Sequence, residues 1–139
     1  MSGPPDHIGL ELVRAAEAWE QAFNAAMVAA GYPLFAEARG RLIRYIGRDG
    51  VGQAELAARA GLTKQAVQLH LVALERDGVL TRAPVAGDRR ARRVIFTDRG
   101  RAMLAAGDRI KAELESGIIA RIGAARFADL RAVLKALAE

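Results

Sequence analysis

The side chains of this sequence that could do chemistry are mainly hydrogen-bond donors and acceptors, because nucleophile–base sets and metal ligands are scarce. The 139 residues contain no cysteine and only two histidines, His7 and His70. The sequence has no Ser-His-Asp set, no phosphate-binding loop and no metal-ligand spacing. We therefore predict that the protein is not an enzyme and holds no cofactor or metal ion. His70 is predicted to be a packed or half-exposed structural histidine.

Polar residues at the start of one predicted helix suit the edges of DNA bases. The helix is predicted over residues 63–77, with Thr63 as its N-cap and Gly78 as its stop. Its apolar residues recur at steps of four and three and are predicted to face the core: Val67, Leu71 and Leu74. Glutamine can pair bidentately with adenine, and lysine can reach guanine or phosphate. The predicted DNA contacts on this helix are Thr63, Lys64, Gln65 and Gln68. A solvated helix face is the alternative.

Positive charge is concentrated in the stretch that follows this helix. Residues 81–101 contain seven arginines and two aspartates, so their net charge of +5 (7 − 2) equals that of the whole chain. This concentration is expected for a protein that binds a polyanion, and a solvated hairpin without a partner is the alternative. The predicted DNA contacts here are Arg82, Arg89, Arg90 and Arg92. Asp88 is predicted to orient Arg90 by an ion pair, so that the arginine can enter the minor groove.

The elements that must position these residues follow from apolar periodicity and from glycine and proline breaks. Helices are predicted at residues 8–30, 34–46, 53–59, 63–77, 99–115 and 124–138. Strands are predicted at residues 79–85 and 93–97, with a wing loop at 86–92 and a short strand at Val51. Residues 1–7 are predicted to be a leader outside any helix. The fold class is mostly α with a small antiparallel β-hairpin (α+β), arranged as a winged helix-turn-helix.

Two finer packing predictions concern the helices before the 63–77 helix. The turn at residues 60–62 has the small residue and glycine that steeply crossing helices need, and Leu62 is expected to plug the crossing. In the helix at residues 34–46, Ile43 and Ile46 are predicted to face the core and Arg39 to face solvent.

The first helix and the last two helices carry apolar stripes that exceed what the central lobe can cover. We expect residues 1–139 to form a single regulator domain, with residues 34–97 as its DNA-binding lobe. Residues 8–30 and 98–138 are predicted to be dimerisation helices that pack against a second copy. An enlarged monomeric core is the alternative. The predicted interface residues are Leu12, Leu114, Ile118, Ile119, Phe127, Leu130, Leu134 and Leu137.

Composition sets the broad class of the protein. Hydrophobic residues make up 52% of the chain and charged residues 27%, which is typical of a folded domain and not of a disordered one. No apolar run approaches the length of about 18 residues that a membrane-spanning helix needs. The N-terminus has neither the basic nor the apolar region of a signal peptide. We expect a cytoplasmic protein with no membrane partner.

With these residues considered together, the sequence resembles the MarR family of bacterial transcriptional regulators along nearly its whole length. The most specific segments are QAELAARAGLTKQAV, LERDGVLTR and DRRARRVIFTDRGRAML. The resemblance implies that Arg90 is the minor-groove arginine of the wing and Asp88 its orienting partner. Two residues depart from the family pattern: Gly52 replaces a capping Ser or Thr, and His70 replaces an aliphatic residue.

The resemblance also implies a function. We expect a homodimeric repressor that binds a pseudo-palindromic operator in double-stranded DNA and is released by a small aromatic or phenolic ligand. Trp19, Phe23 and Tyr45 could line the ligand crevice, although core packing is the favoured explanation for these residues. The absence of cysteine excludes the thiol-sensing branch of the family, and two histidines disfavour the zinc-sensing branch. A winged-helix adaptor that binds an acidic protein is the alternative function, and activation instead of repression stays open.

Overall fold

The computed structural model describes Gly3 and residues 6–139, and its elements are mainly helical. The α-helices are α1 Ile8–Ala29, α2 Gln53–Ala60, α3 Lys64–Arg76, α4 Asp98–Ile122 and α5 Ala124–Leu137. Short 3₁₀ helices span Pro33–Ala36 and Ala38–Tyr45. The strands are β1 Val51–Gly52, β2 Leu80–Val85 and β3 Asp88–Phe96. This confirms the predicted fold class. The predicted leader falls partly on residues 1, 2, 4 and 5, which lie outside the described residues.

The chain divides into two compact units, and the boundaries between them fall within α1 and α4. Residues 24–107 form one unit, here called the winged unit, which contains the 3₁₀ helices, α2, α3 and the sheet. Residues 1–23 and 108–139 form the other, here called the helical unit, which contains α5 and parts of α1 and α4. The expectation of a single domain stays a prediction.

The core of the winged unit is apolar and built around α3. The three residues predicted to face inward from this helix, Val67, Leu71 and Leu74, are fully buried. The buried residues Leu80 and Val94 bring β2 and β3 onto the same core. Since full burial of an aliphatic side chain contributes roughly 1.5–3 kcal/mol, this set anchors α3 to the sheet.

The turn between α2 and α3 depends on a left-handed glycine. Gly61 has φ 65° and ψ 30°, a conformation that residues with a Cβ rarely adopt, and it caps the C-terminus of α2. The Leu62 N–H donates to the Ala57 carbonyl at 3.1 Å and completes the bend. Ala57 is buried as expected, but Leu62 is 40% exposed, so the prediction that it plugs the helix crossing is wrong.

The segment predicted as one helix at residues 34–46 consists instead of two 3₁₀ helices. Glu37 has extended backbone (φ −114°, ψ 161°) and interrupts the run. Gly40, Ile43 and Ile46 are buried at intervals of three, which is the repeat of a 3₁₀ helix and resembles an α-helical pattern in sequence. Ile43 and Ile46 therefore face the core as predicted, although Ile43 lies in a 3₁₀ helix and Ile46 is the extended residue that follows it.

The antiparallel sheet has the strand order β1–β3–β2 and forms the wing. Val51 pairs with Val94, which confirms the predicted short strand. On the other side β2 pairs with β3 from Leu80 opposite Phe96 as far as Pro84 opposite Arg92. The predicted wing loop at residues 86–92 is wrong, because β3 begins at Asp88 and only Ala86 and Gly87 lie between the strands.

The helices of the helical unit bury little. The helix predicted at residues 99–115 ends too early. In the structure α4 continues through Gly117 to Ile122 and ends before Gly123 (φ 88°). Within the described part of the chain, α5 has no buried residue. The Trp19 and Phe23 rings stack with centroids 5.4 Å apart. Among the residues described, no helix is long and apolar enough to cross a membrane.

Candidate nucleic-acid interface

The start of α3 and the wing line one groove of the winged unit, with a volume of about 580 Å³. Residues of α2, α3, β2 and β3 contribute to it, because the sheet packs beside the helix-turn-helix. The groove brings together six of the predicted contacts: Lys64, Gln68, Arg82, Arg89, Arg90 and Arg92. The remaining two, Thr63 and Gln65, are exposed residues at the start of the helix but do not line the groove.

Thr63 caps α3 as predicted. Its Oγ1 accepts a hydrogen bond from the Ala66 N–H at 3.1 Å, which satisfies one of the free donors at the helix start. The cap uses Oγ1 only as an acceptor, so the hydroxyl proton is available to donate to a DNA phosphate. Thr63 thus fixes where the helix begins, and its contact with DNA stays a prediction.

The two glutamines of α3 have different surroundings. Gln68 Oε1 accepts a hydrogen bond from Arg82 Nη1 at 2.5 Å and another from Gln53 Nε2 at 3.1 Å. The amide of Gln65, within the described chain, has no hydrogen-bond partner and is exposed. The sequence alone treats these residues as equivalent, but the structure joins only Gln68 to α2 and the wing.

Arg82 is the centre of this network and was predicted only as a DNA contact. Its side chain is 19% exposed and forms an ion pair with Glu75, with 2.6 Å between Nη2 and Oε1. Arg82 Nη1 also lies 3.5 Å from Gln53 Oε1. The guanidinium therefore links β2 to both helices of the helix-turn-helix. Sequence pattern alone does not show such a link, because its members lie up to 29 positions apart.

The tip of the wing is held by Asp88. Val85 pairs with Asp88 while Pro84 pairs with Arg92, so the residues between them bulge out of β3. Asp88 Oδ1 accepts hydrogen bonds from the backbone N–H groups of Arg90 (3.0 Å) and Ala91 (3.3 Å). The expected ion pair between Asp88 and the Arg90 side chain is corrected by this geometry: the carboxylate bonds the backbone of the bulge.

The seven arginines of residues 81–101 serve different purposes. Four of them bond groups of the winged unit that lie outside residues 86–92: Arg82, Arg93, Arg99 and Arg101. The other three line the groove at the wing: Arg89, Arg90 and Arg92. Arg92 donates to the neighbouring carbonyls of Arg89 and Ala91, both at 3.1 Å. Within the part of the chain that the structure describes, no carboxylate pairs with these three guanidinium groups, so their charge is free to attract a polyanion.

The C-terminal end of α3 is held by two further arginines. Arg39 makes a bidentate ion pair with Asp77, at 2.7 Å from Nε to Oδ2 and 3.1 Å from Nη2 to Oδ1. The hydrogen bonds that Arg39 donates to the Asp77 carboxylate raise the pKa of Arg39. The Arg39 side chain is only 23% exposed, so the prediction that it faces solvent is wrong. Arg99 lies over the Tyr32 ring at 5.2 Å and donates to the Asp77 carbonyl at 3.2 Å. These contacts fix the direction of α3.

The residues predicted for a ligand crevice are found in separate units. Trp19 and Phe23 stack on each other in the helical unit, where Lys111 Nζ lies 5.6 Å from the Phe23 ring. Tyr45 belongs to the winged unit and lines a cavity of about 290 Å³ together with Leu62 and His70. His70 is half-buried there, as predicted for a structural histidine. No group of residues that could hold a metal ion occurs in the described chain.

The residues predicted for a dimer interface are exposed or half-buried. Leu114, Ile118, Ile119 and Phe127 are half-buried. Leu12 and the three leucines of α5 (Leu130, Leu134 and Leu137) are exposed, and the largest exposed fraction is 65% at Leu137. A monomeric protein rarely leaves several leucines of one helix exposed to water.

Comparison with known proteins relates the winged unit to one family. A family model described as the MarR family matches residues 38–91, which cover the helix-turn-helix and most of the wing. A comparison with curated proteins found no match.

Solved structures resemble nearly the whole chain. Transcriptional regulator PA3341 is 25% identical with a TM-score of 0.72, over 94% of this chain and 95% of that one. The transcriptional repressor CouR bound to a 23-mer DNA duplex is 25% identical with a TM-score of 0.73, over 96% and 93%. NadR in complex with 4-hydroxyphenylacetate is 20% identical with a TM-score of 0.68, over 100% and 97%.

Proposed function

We propose that this chain is a winged-helix transcriptional regulator of the MarR family and acts as a homodimeric repressor on a pseudo-palindromic operator. The similar proteins are transcriptional regulators, which supports a DNA-binding regulator in place of an enzyme. In the proposed complex α3 enters the major groove and the wing enters the adjacent minor groove. Bound at a promoter, the dimer would block transcription.

The observation that carries the proposal is the groove shared by α3 and the wing. Lys64 lies at the N-terminal end of α3, and three arginines without a carboxylate partner among the described residues lie at the wing. Polar side chains at the start of a helix suit the base edges of duplex DNA, and a basic hairpin beside them suits its phosphate backbone. Leu69 adds an apolar group on the outer face of α3, where it is 73% exposed, and such a side chain suits the methyl group of thymine.

Two copies of the chain fit the proposal better than one. Among the described residues the leucines of α5 are exposed, and a second copy would bury them. A two-fold dimer would present two copies of α3 to half-sites about one turn of DNA apart. The DNA-bound structure of CouR, a transcriptional repressor, supports DNA as the partner.

Release by a small aromatic ligand is the second part of the proposal. The NadR complex contains 4-hydroxyphenylacetate, an aromatic acid. In this chain Trp19 and Phe23 offer a stacked aromatic pair, and Tyr45 offers a phenol in the winged unit. A ligand would release DNA only if it binds the non-binding conformation of the dimer more tightly than the DNA-binding one.

The proposal is tested by selecting duplexes that the full chain binds from a random pool. We expect a two-fold symmetric motif with half-sites about ten base pairs apart. Affinity for the selected duplex should fall steeply with salt, because cations are released from the phosphates on binding. A panel of aromatic acids added to the same assay should include compounds that weaken binding. Weak binding with no enriched motif and no effect of any compound would contradict the proposal and favour an adaptor that binds an acidic protein.

A further inference from the structure

The two glutamines of the recognition helix cannot make the same contacts with a base. Recognition of adenine by glutamine needs both halves of the amide, since Oε1 must accept from adenine N6 while Nε2 donates to N7. Gln65 has both halves free among the described residues. Gln68 does not, because its Oε1 already accepts from Arg82 and from Gln53.

The acceptor capacity of Gln68 Oε1 is used up by these two bonds. An amide oxygen has two lone pairs, and Arg82 and Gln53 occupy both. The orientation of the Gln68 amide is also determined by chemistry, since a guanidinium has only donors and must face the oxygen. A hydrogen bond from a charged donor is about twice as strong as one between neutral groups. Arg82 is itself held by Glu75, at 2.8 Å from Nε to Oε1.

We propose that Gln68 recognises DNA as a donor only, through Nε2, and therefore prefers guanine over adenine at its base pair. Guanine presents two acceptors in the major groove, N7 and O6, whereas adenine places the N6 donor beside its N7. Arg82 is a positioning residue in this scheme, because it removes the acceptor half of the amide without touching the base. The inference rests on the proposed function, since it assumes that α3 lies in the major groove.

The two glutamines of α3 therefore have different roles in base recognition. Gln65 is free to recognise adenine, whereas Gln68 is restricted to a guanine by a residue of the wing strand β2. The sequence specificity of the helix thus depends on a side chain outside it. Sequence alone allows either glutamine to pair with adenine, and the network around Gln68 separates the two.

The experiment is the selection of bound duplexes by the full chain and four variants: Gln65→Ala, Gln68→Ala, Gln68→Glu and Arg82→Met. Each variant is first compared with the wild type by thermal unfolding. Gln68→Ala should abolish a preference of about tenfold for guanine over adenine at one position. Gln68→Glu keeps acceptors for Arg82 and Gln53 but has no donor. It should therefore lose the preference for the same guanine while the hydrogen-bond network stays intact. Gln65→Ala should change the base preference at a different position of the selected motif.

Arg82→Met gives the readout that a merely structural role would not change. Loss of the guanidinium frees one lone pair of Gln68 Oε1, and the preference at the same position should move from guanine towards adenine. A preference for adenine at that position in the wild type would overturn the inference, as would a Gln68→Ala variant that alters no position. An Arg82→Met variant that binds with the wild-type preference would remove the positioning role. If the wild type selected no motif, the proposed function would fail and this inference would fail with it.

Discussion

Asp88 places a negative charge among arginines on a surface that is proposed to face phosphates. Its geometry explains why such a residue is useful there. Each of its two hydrogen bonds to the backbone of the bulge contributes about 0.5–1.5 kcal/mol, and together they hold the chain that carries Arg89 and Arg90. The carboxylate therefore stabilises the bulge of the wing. This stabilisation offsets the repulsion between the carboxylate and the DNA phosphates.

This role predicts different effects for two substitutions of Asp88. Asp88→Ala removes both bonds, so the bulge must be ordered on binding, and DNA affinity should fall about fivefold. Asp88→Asn keeps Oδ1 as an acceptor and removes the negative charge, so its affinity should equal or exceed that of the wild type. Fluorescence anisotropy with the selected operator at two salt concentrations measures both. If Asp88→Asn bound as weakly as Asp88→Ala, the charge and an ion pair with Arg90 would be required after all.

At the scale of elements, the start of α4 lies very close to the strand region. A Cβ added at Gly100 would lie 2.1 Å from the Val79 carbonyl oxygen and 3.0 Å from Phe96 Cδ1. Thr97 strengthens this junction, because its N–H donates to the same Val79 oxygen at 3.1 Å and its Oγ1 accepts from Gly100 N–H at 3.1 Å. Only a residue without a side chain fits between α4 and the sheet edge at this point.

The close approach predicts that Gly100→Ala destabilises the protein. The methyl group would push α4 away from Val79, at a cost of about 1–3 kcal/mol in the free energy of unfolding. Gly117→Ala is the matched control, since that glycine also lies within α4 and a Cβ there meets no atom within 4 Å. The control should gain roughly 0.5–1 kcal/mol, because alanine favours the helix. Urea unfolding of both variants at one protein concentration measures the difference. A Gly100→Ala variant as stable as the control would show that the junction relaxes without cost.

Elements with clear ends could be predicted from sequence, and elements defined by long-range pairing could not. The recognition helix was predicted nearly to the residue, because Thr63 caps it and Gly78 follows it. The wing loop was wrong because Asp88 and the arginines that follow lack the alternation of a strand, although pairing with β2 makes them one. The groove residues were predicted from their charge and position. Arg82 was not recognised as the centre of a network, because its partners Glu75, Gln68 and Gln53 come from other elements.

At the scale of the molecule, the two units present surfaces of different chemistry. The winged unit carries the free arginines of the wing, and the helical unit carries exposed leucines. Charge of one sign attracts a polyanion over a distance of about 8–10 Å at ordinary salt. Apolar side chains gain only on direct contact, by about 25 cal/mol for each Å² removed from water. One surface therefore suits DNA and the other suits a second copy of the chain.

The proposed dimer predicts a specific weak point on α5. Leu134 lies in the apolar stripe of that helix, and Leu134→Glu would place a charge without a partner in the buried interface. Since an unpaired buried charge costs about 3–5 kcal/mol, the dissociation constant of the dimer should rise at least about 100-fold.

Ala132 lies on the opposite side of α5, so Ala132→Glu adds the same charge without entering the stripe. Sedimentation velocity over a range of concentrations should find a dimer for the wild type and for Ala132→Glu, and a monomer for Leu134→Glu. A Leu134→Glu dimer as tight as the wild type would exclude this stripe as the interface, and a monomeric wild type would exclude the dimer.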